Sequence, residues 1–330
     1  MSKITVGVVR GGPSSEYDVS LKTGSTVLRH LSEGPVSEIY QPVDILISAE
    51  GGWHRDGAER SPARALAGVD VVFNALHGQF GEDGGIQKIL DDLCVPYTGS
   101  GAFASAMGMN KVLAKERFAQ AGIKTPTHLV IRRSDDLRER YNHVFHHFLL
   151  PFVVKPVSAG SSVGVTIVKK YIDFFDAVEK AFEHSDTVLV EEYIKGREAT
   201  AAVIDNFRDQ RFYALPPVEI LPPSSSDFFD YEAKYSDGAT AAQEIVPGNF
   251  TPFQKKEMEE LAIAAHKALG ARHYSRTDFI VSPSRGIYVL EINTLPGLTD
   301  ASILPKSLAA VGAPLGDFFH HIISLARGEK

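Results

Sequence analysis

Cysteine is all but missing from this 330-residue chain, where Cys94 stands alone. An intrachain disulfide is therefore excluded, which fits a reducing, cytoplasmic setting. Following Leu93 in a helix-to-strand connection, Cys94 is expected to be buried filler rather than a nucleophile. A basic excess is missing too. The net charge is −7, with Lys and Arg scattered rather than blocked, so nucleic acid is not an expected partner. No apolar run reaches the roughly 18 residues of a membrane span. The N-terminus enters a strand, Ile4–Val9, without the apolar core of a signal peptide, so no membrane partner is expected either. Internal repeats and low-complexity tracts are also lacking. What remains is ordinary globular composition, 44% hydrophobic and 23% charged, in a chain long enough for two or three domains.

Residues 1–106 alternate strand and helix. Ile4–Val9 is a continuous apolar run, as a parallel strand buried on both faces requires. Val43–Ile47 and Val69–Leu76 read as further strands, and Val19, Thr23, Val27 and Leu31 recur at near-helical spacing. An open parallel α/β sheet is predicted, with ligands gathering beyond the carboxyl ends of its strands. Two Gly-rich loops fall at that edge, Gly11–Ser15 and His77–Gly85. Neither is a G-x-G-x-x-G fingerprint, and G-x-x-x-x-G-K-[ST] is absent, which disfavours a dinucleotide dehydrogenase and a P-loop enzyme. Glu16 enters the first helix, where a carboxylate could equally be a favourable N-terminal charge. His77 ends a buried strand, as a ligand contact or as a core histidine bonded to backbone.

A second unit, 107–190, opens with a helix at Lys111–Ala121 stopped by Gly122 and Pro126. Strands follow at Thr127–Ile131 and Pro151–Lys155. Lys155 closes an apolar strand, where a charge calls for an anion. The Gly- and Ser-rich stretch 156–164 then leads to another strand, Val165–Val168, as a hairpin flap over phosphates would. After a helix at Asp173–Phe182, the strand Thr187–Val190 ends at Glu191 and Glu192, which must face opposite ways. Tyr193, Ile194 and Glu198 could offer an apolar slot and a ribose contact. A third unit, 191–330, is built on antiparallel strands, Glu198–Ile204 and Arg211–Glu219 among them. It holds an aperiodic stretch at 221–249, expected as a lid, and a helix at Pro252–Leu269. His143, His146 and His147 are expected on a surface connection, and His320 and His321 on the last helix, none as metal ligands.

The stretch from Arg276 to Ser302 carries the most chemistry. Thr277–Val281 and Ile287–Ile292 flank a Ser-, Pro- and Gly-rich turn, a hairpin signal. Folding about Ser284 brings Asp278 close to Glu291, with Arg276 and Asn293 on the same face. Two adjacent carboxylates repel unless a cation sits between them. Oxygen donors that leave room for phosphate and water suit Mg²⁺.

Taken together, these motifs resemble the D-alanine–D-alanine ligase family of the ATP-grasp superfamily, almost end to end. The most specific strings are G-G-P-S-S-E-Y-D-V-S at 11–20, A-L-H-G-Q-F-G-E-D-G at 75–84, Y-T-G-S-G at 97–101 and K-P-V-S-A-G-S-S-V-G at 155–164. Y-E-A-K-Y at 231–235, R-T-D-F at 276–279 and E-I-N-T-L-P-G at 291–297 complete them. The pattern departs at Arg10, Tyr17, Asp18 and Glu192. The resemblance implies an ATP-grasp fold and the joining of two D-alanines with ATP through an acyl phosphate, for peptidoglycan precursors. It implies a homodimer, and Mg²⁺, or Mn²⁺ in its place, held by Asp278, Glu291 and Asn293. Lys111, Lys155 and Lys234 would neutralise phosphates capped by Ser161 and Ser162. Glu191, Tyr193, Ile194 and Glu198 would receive adenine and ribose. Glu16 would meet the ammonium of the first D-alanine, with His77 nearby. Arg276 and the Gly297 N–H would face the oxyanion, and Ser302 the second carboxylate. Glu16, Ser161 and Tyr235 would orient the substrate and bring the lid down, with Tyr235 favouring an amine as second substrate. A D-serine or D-lactate ligase and a non-catalytic nucleotide-binding regulator stay open as alternatives.

Overall fold

The computed structural model describes residues 3–158, 164–221 and 243–329. Its first sheet grows from β1 (Ile4–Gly11), which is followed by α1 (Tyr17–Ser32), β2 (Tyr40–Ile47), β3 (Trp53–Arg55), β4 (Ala58–Arg60), α2 (Pro62–Ala65), β5 (Val71–Asn74) and α3 (Gly85–Asp92). The strand order is β4-β3-β2-β1-β5, with β1 parallel to both β2 and β5. Val6, Val8 and Val9 are buried, as a strand enclosed on both faces demands. The short antiparallel strands β3 and β4 extend the edge, an addition to the expected parallel sheet. They lack apolar alternation, and their only signal is Asp56-Gly57, whose positive φ values (54° and 74°) make the tight turn between them. Cys94 is exposed, contrary to expectation. Its N–H bonds to the Asp91 carbonyl in the turn that ends α3, and this backbone (φ 54°) carries the side chain outward.

Two helices, α4 (Ala102–Met109) and α5 (Lys111–Gln120), lead to a four-stranded antiparallel sheet ordered β6-β9-β7-β8. Its strands are β6 (His128–Arg132), β7 (Phe152–Pro156), β8 (Thr166–Val168) and β9 (Thr187–Glu192). α6 (Leu137–His147) and α7 (Phe174–Phe182) cover one face through Val144, Phe174, Val178 and Phe182. The exposed residues His143, His146 and His147 belong to α6 rather than to a loop; Val144 and Phe148 anchor this polar segment at helical spacing.

The third sheet runs β13-β12-β10-β14-β15, with β11 attached to β10. Its members are β10 (Arg197–Phe207), β11 (Gln210–Ala214), β12 (Val218–Leu221), β13 (Gln243–Ile245), β14 (Tyr274–Ser282) and β15 (Gly286–Asn293). The single strand expected over 211–219 is broken in two, because Pro216 and Pro217 have no N–H to give a ladder. α8 (Pro252–Leu269) packs Met258, Ala262, Ala265 and Leu269 against Phe279, Val281 and Val289. The expected lid falls largely on 222–242, outside the described residues.

The last helices, α9 (Ile303–Ala310) and α10 (Leu315–Ala326), return to the first sheet. Leu308, Phe318, Phe319 and Ile322 share one core with Val6, Val8 and Phe73 of that sheet and with Ala202, Ile204 and Tyr274 of the third. Among the described residues no single helix is long and apolar enough to cross a membrane; α9 and α10 are apolar but meet at 106° and bury in this core.

Candidate active site

The β14–β15 hairpin places Asp278 directly opposite Glu291 and Arg276 opposite Asn293. The register shifts between Asp278 and Phe279, and the shift decides where Glu291 points. Ile287, Val289 and Ile292 all enter the core under α8. Strict alternation from Ile287 would send Glu291 there too. A bulge at Leu290 and Glu291 adds one residue and turns the carboxylate to the face that carries Asp278. Arg276 grips both oxygens of Asp278, with Nε and Nη2 each at 2.9 Å. From β10, Thr200 donates to Asp278 Oδ1 at 2.7 Å. Asn293 Oδ1 accepts from the Leu295 N–H at 2.8 Å, which bends the chain off the strand.

α5 links this face to the four-stranded sheet. Asn110 caps the helix by accepting from the N–H groups of Val112 and Leu113, and the Lys111 N–H reaches the Val157 carbonyl just beyond β7. Lys111 Nζ then lies 3.3 Å from Glu291 Oε2. One turn on, Lys115 Nζ lies 2.9 Å from Glu191 Oε1. Lys155, from β7, meets the other oxygen of Glu191 at 2.7 Å. Burial alone would raise the Glu191 pKa, but Lys155 and Lys115 prevail and hold it below the usual carboxylate range. Burial pushes the Lys115 ammonium below its ordinary value, against the pull of Glu191. Glu192 faces the other way, accepting from the Thr127 N–H at 3.0 Å and pairing with Arg285 at 2.8 Å.

At the carboxyl edge of the first sheet, Glu16 and His77 come together. Gly78 has φ 70°, and a Cβ there would lie 2.8 Å from Glu16 Oε2 and 2.4 Å from Ser14 Oγ. The carboxylate of Glu16 thus rests on the backbone beside His77. The His77 Nε2 shares a hydrogen bond of 2.8 Å with Thr23, and the Gly78 N–H donates to Glu82 Oε1 at 2.9 Å. The segment after β15 reaches the same edge. Leu295 and Leu298 pack with Phe73 and Ala75, and Leu295 abuts Gly99. This segment carries Gly297 against Ser302, whose Oγ accepts from the Thr299 N–H at 3.2 Å.

Tyr193 is half-buried and Ile194 buried in the connection from β9 to β10. Glu198 lies two residues before Thr200, hence on the face of β10 that meets Asp278. Ser161, Ser162, Lys234 and Tyr235 lie outside the described residues. Sequence reasoning passed over two contributors, Thr200 and Lys115. Thr200 carries no local signal. Lys115 could have been noticed by its four-residue spacing from Lys111, which sets both on one helix face.

An α/β sheet followed by two antiparallel sheets that turn lysines and carboxylates toward one helix is the architecture of the ATP-grasp enzymes, ATP-dependent ligases. Within that class, residues 118–324 match the family model described as D-ala D-ala ligase C-terminus, and residues 54–100 the one described as D-ala D-ala ligase N-terminus. A D-alanine–D-alanine ligase of Trichlorobacter lovleyi is 39% identical over 314 residues, covering 94% of this chain and 90% of that one. Among solved structures, a D-Ala:D-Ser ligase from Enterococcus faecalis superposes with a TM-score of 0.84 at 28% identity, covering 98% of this chain and 100% of its own. The D-alanyl-alanine synthetase A of Vibrio cholerae gives 0.85 at 26% identity and covers all of both chains. The chain belongs to the D-alanine–D-alanine ligase family.

Proposed function

We propose that the chain joins two D-alanines into D-alanyl-D-alanine with ATP, supplying peptidoglycan precursors in the cytoplasm as a homodimer. The functional units are 1–106, 107–190 and 191–330. A carboxylate is a poor acyl donor because its oxygen leaves badly. Phosphoryl transfer from ATP to the first D-alanine gives an acyl phosphate. The amine of the second D-alanine attacks the acyl carbon, the C–O bond to phosphate breaks, and the amine sheds a proton as the amide forms. Anionic reactants must approach closely, so positioning and charge neutralisation dominate.

The observation that carries this reading is the in-register pair Asp278–Glu291, with Arg276 and Lys111 beside it. Asp278, Glu291 and Asn293 fit a hard cation. Two carboxylates and an amide oxygen on one face leave positions for phosphate and water, and among the described residues no cluster of three His, Cys, Asp or Glu offers a complete protein cage. Bound there, Mg²⁺ or Mn²⁺ supplies charge neutralisation to the phosphates. Lys155 and Lys111 direct their ammoniums to phosphate oxygens. Glu191, Tyr193, Ile194 and Glu198 receive adenine and ribose, and Glu16 holds the first ammonium beside His77. Arg276 and the Gly297 N–H meet the oxyanion, and Ser302 the second carboxylate. Ser161, Ser162, Lys234 and Tyr235 keep the roles that the family resemblance implies.

The test is ADP, phosphate and dipeptide formation from ATP and D-alanine, with and without Mg²⁺. Faster turnover with D-serine or D-lactate as second substrate would overturn the choice of D-alanine. Glu291→Ala is expected to lower turnover by about 10³-fold or more while the circular dichroism stays native, since it removes a half-exposed donor rather than core. Wild-type turnover in that variant would place the cation elsewhere.

A further inference from the structure

One carboxylate in the site serves two lysines. Lys115, Glu191 and Lys155 are 1%, 3% and 7% exposed, so water hardly reaches them. Each oxygen of Glu191 has a different ammonium at ion-pair distance, Lys115 Nζ 2.9 Å from Oε1 and Lys155 Nζ 2.7 Å from Oε2, although Oε1 accepts no hydrogen bond among the described residues. A structural ion pair needs only one lysine. Among the described residues the second lysine leaves two buried ammoniums on one carboxylate, with Glu291 adding a weaker pull on Lys115, which is costly in a buried place. The Pro126 carbonyl, 3.4 Å from Lys115 Nζ, is a weak contact and adds no charge. Lys155 is the more exposed of the two ammoniums, at the end of a strand that leads into the Gly- and Ser-rich stretch.

We propose that Lys115 is a positioning residue for the nucleotide: by occupying one oxygen of Glu191 it prevents that carboxylate from neutralising Lys155, whose ammonium stays electropositive toward the phosphates of ATP. The inference rests on the reading of the site as ATP-dependent. Lys115 acts through Glu191 and touches no substrate. The Lys111–Glu291 contact on the same helix face repeats the pattern at the next turn, so α5 sets the charge seen by nucleotide and cation together.

The test is the kinetics of Lys115→Met, which keeps the apolar stem and removes the charge. KM for ATP is expected to rise about tenfold or more, while kcat and KM for D-alanine stay within about twofold. Glu191→Gln also alters an adenine contact, so the coupling is read within its background: there Lys115→Met should raise KM for ATP at least about threefold less than it does in the wild type. Lys115→Arg keeps the charge and should hold KM for ATP within about threefold. An unchanged KM for ATP in folded Lys115→Met, equal shifts for D-alanine, or an undiminished effect of Lys115→Met in the Glu191→Gln background would each overturn the proposal. Should Lys115→Met fail to fold, Lys115→Arg decides: a rise beyond threefold overturns it, and a smaller one supports it. Calorimetric ATP binding to the same variants reads the role of Lys115 even if no dipeptide forms, which separates its failure from that of the reaction.

Discussion

His273 ties two parts of the chain together through a nitrogen that must stay unprotonated. Its Nδ1 accepts from the Gly99 N–H at 3.1 Å, while its own backbone N–H donates to Asp205. Burial, with Arg272 adding to it, pushes the His273 pKa down to about 4. Above pH 6.5 the ring is neutral folded or unfolded, and stability is flat. As pH falls from 6.5 toward 4, the unfolded chain takes up a proton that the folded chain refuses, so stability drops, by up to about 3 kcal/mol. His273→Asn suits the positive φ of 67° and should flatten this fall. Urea midpoints at pH 7 and pH 4.5 check it; an unaltered slope in the variant would assign the loss to other groups. Residues that depart from the family pattern were legible only as departures. Arg10 proves to pair with Asp44, its Nε at 2.7 Å, and to lay its stem over Gly24, where a Cβ would lie 2.6 Å from that of Arg10. Glu192 ties the start of β6 to Arg285. Neither arrangement could be inferred from a sequence, because each partner is far away along the chain.

Elements with local punctuation were the most legible. α8 begins with a capping box: Thr251 accepts from the Gln254 N–H at 3.2 Å, and Gln254 accepts from the Thr251 N–H at 3.1 Å. Thr251→Ala should therefore cost about 1 kcal/mol, read as a lower urea midpoint with turnover unchanged, because the capping bonds join only Thr251 and Gln254. The hairpin was legible in outline, from its turn and its two apolar runs. Its bulge was not, since Tyr288, Leu290 and Ile292 are all apolar and hide where alternation slips. The pairing of Asp278 with Glu291 thus came from counting about the turn, whereas the face of Glu291 is settled by packing under α8. The β3–β4 hairpin went unread for the opposite reason, a turn signal without apolar strands.

At the scale of the whole molecule, the parallel first sheet and the antiparallel last one were legible from strand patterning, but the four-stranded sheet between them was read only as separate strands, and the route of the last helices was not legible. Phe319 of α10 meets Phe73 of β5 edge-on at 5.4 Å and His30 of α1 at 5.6 Å. Phe319 is fully buried, so Phe319→Ala should cost about 3–5 kcal/mol. Its mark would be faster hydrogen exchange in β1 and β5 as well as in α10. Exchange quickened in α10 alone would mean that the core is not shared. In a chain arranged in this way α1 can cover β1 at once, whereas β5 waits for α10 before its side of the shared core is filled. During synthesis Phe73 of β5 stays without its edge-on partner Phe319 while about 240 further residues emerge, so that patch must be kept from its neighbours until α10 arrives.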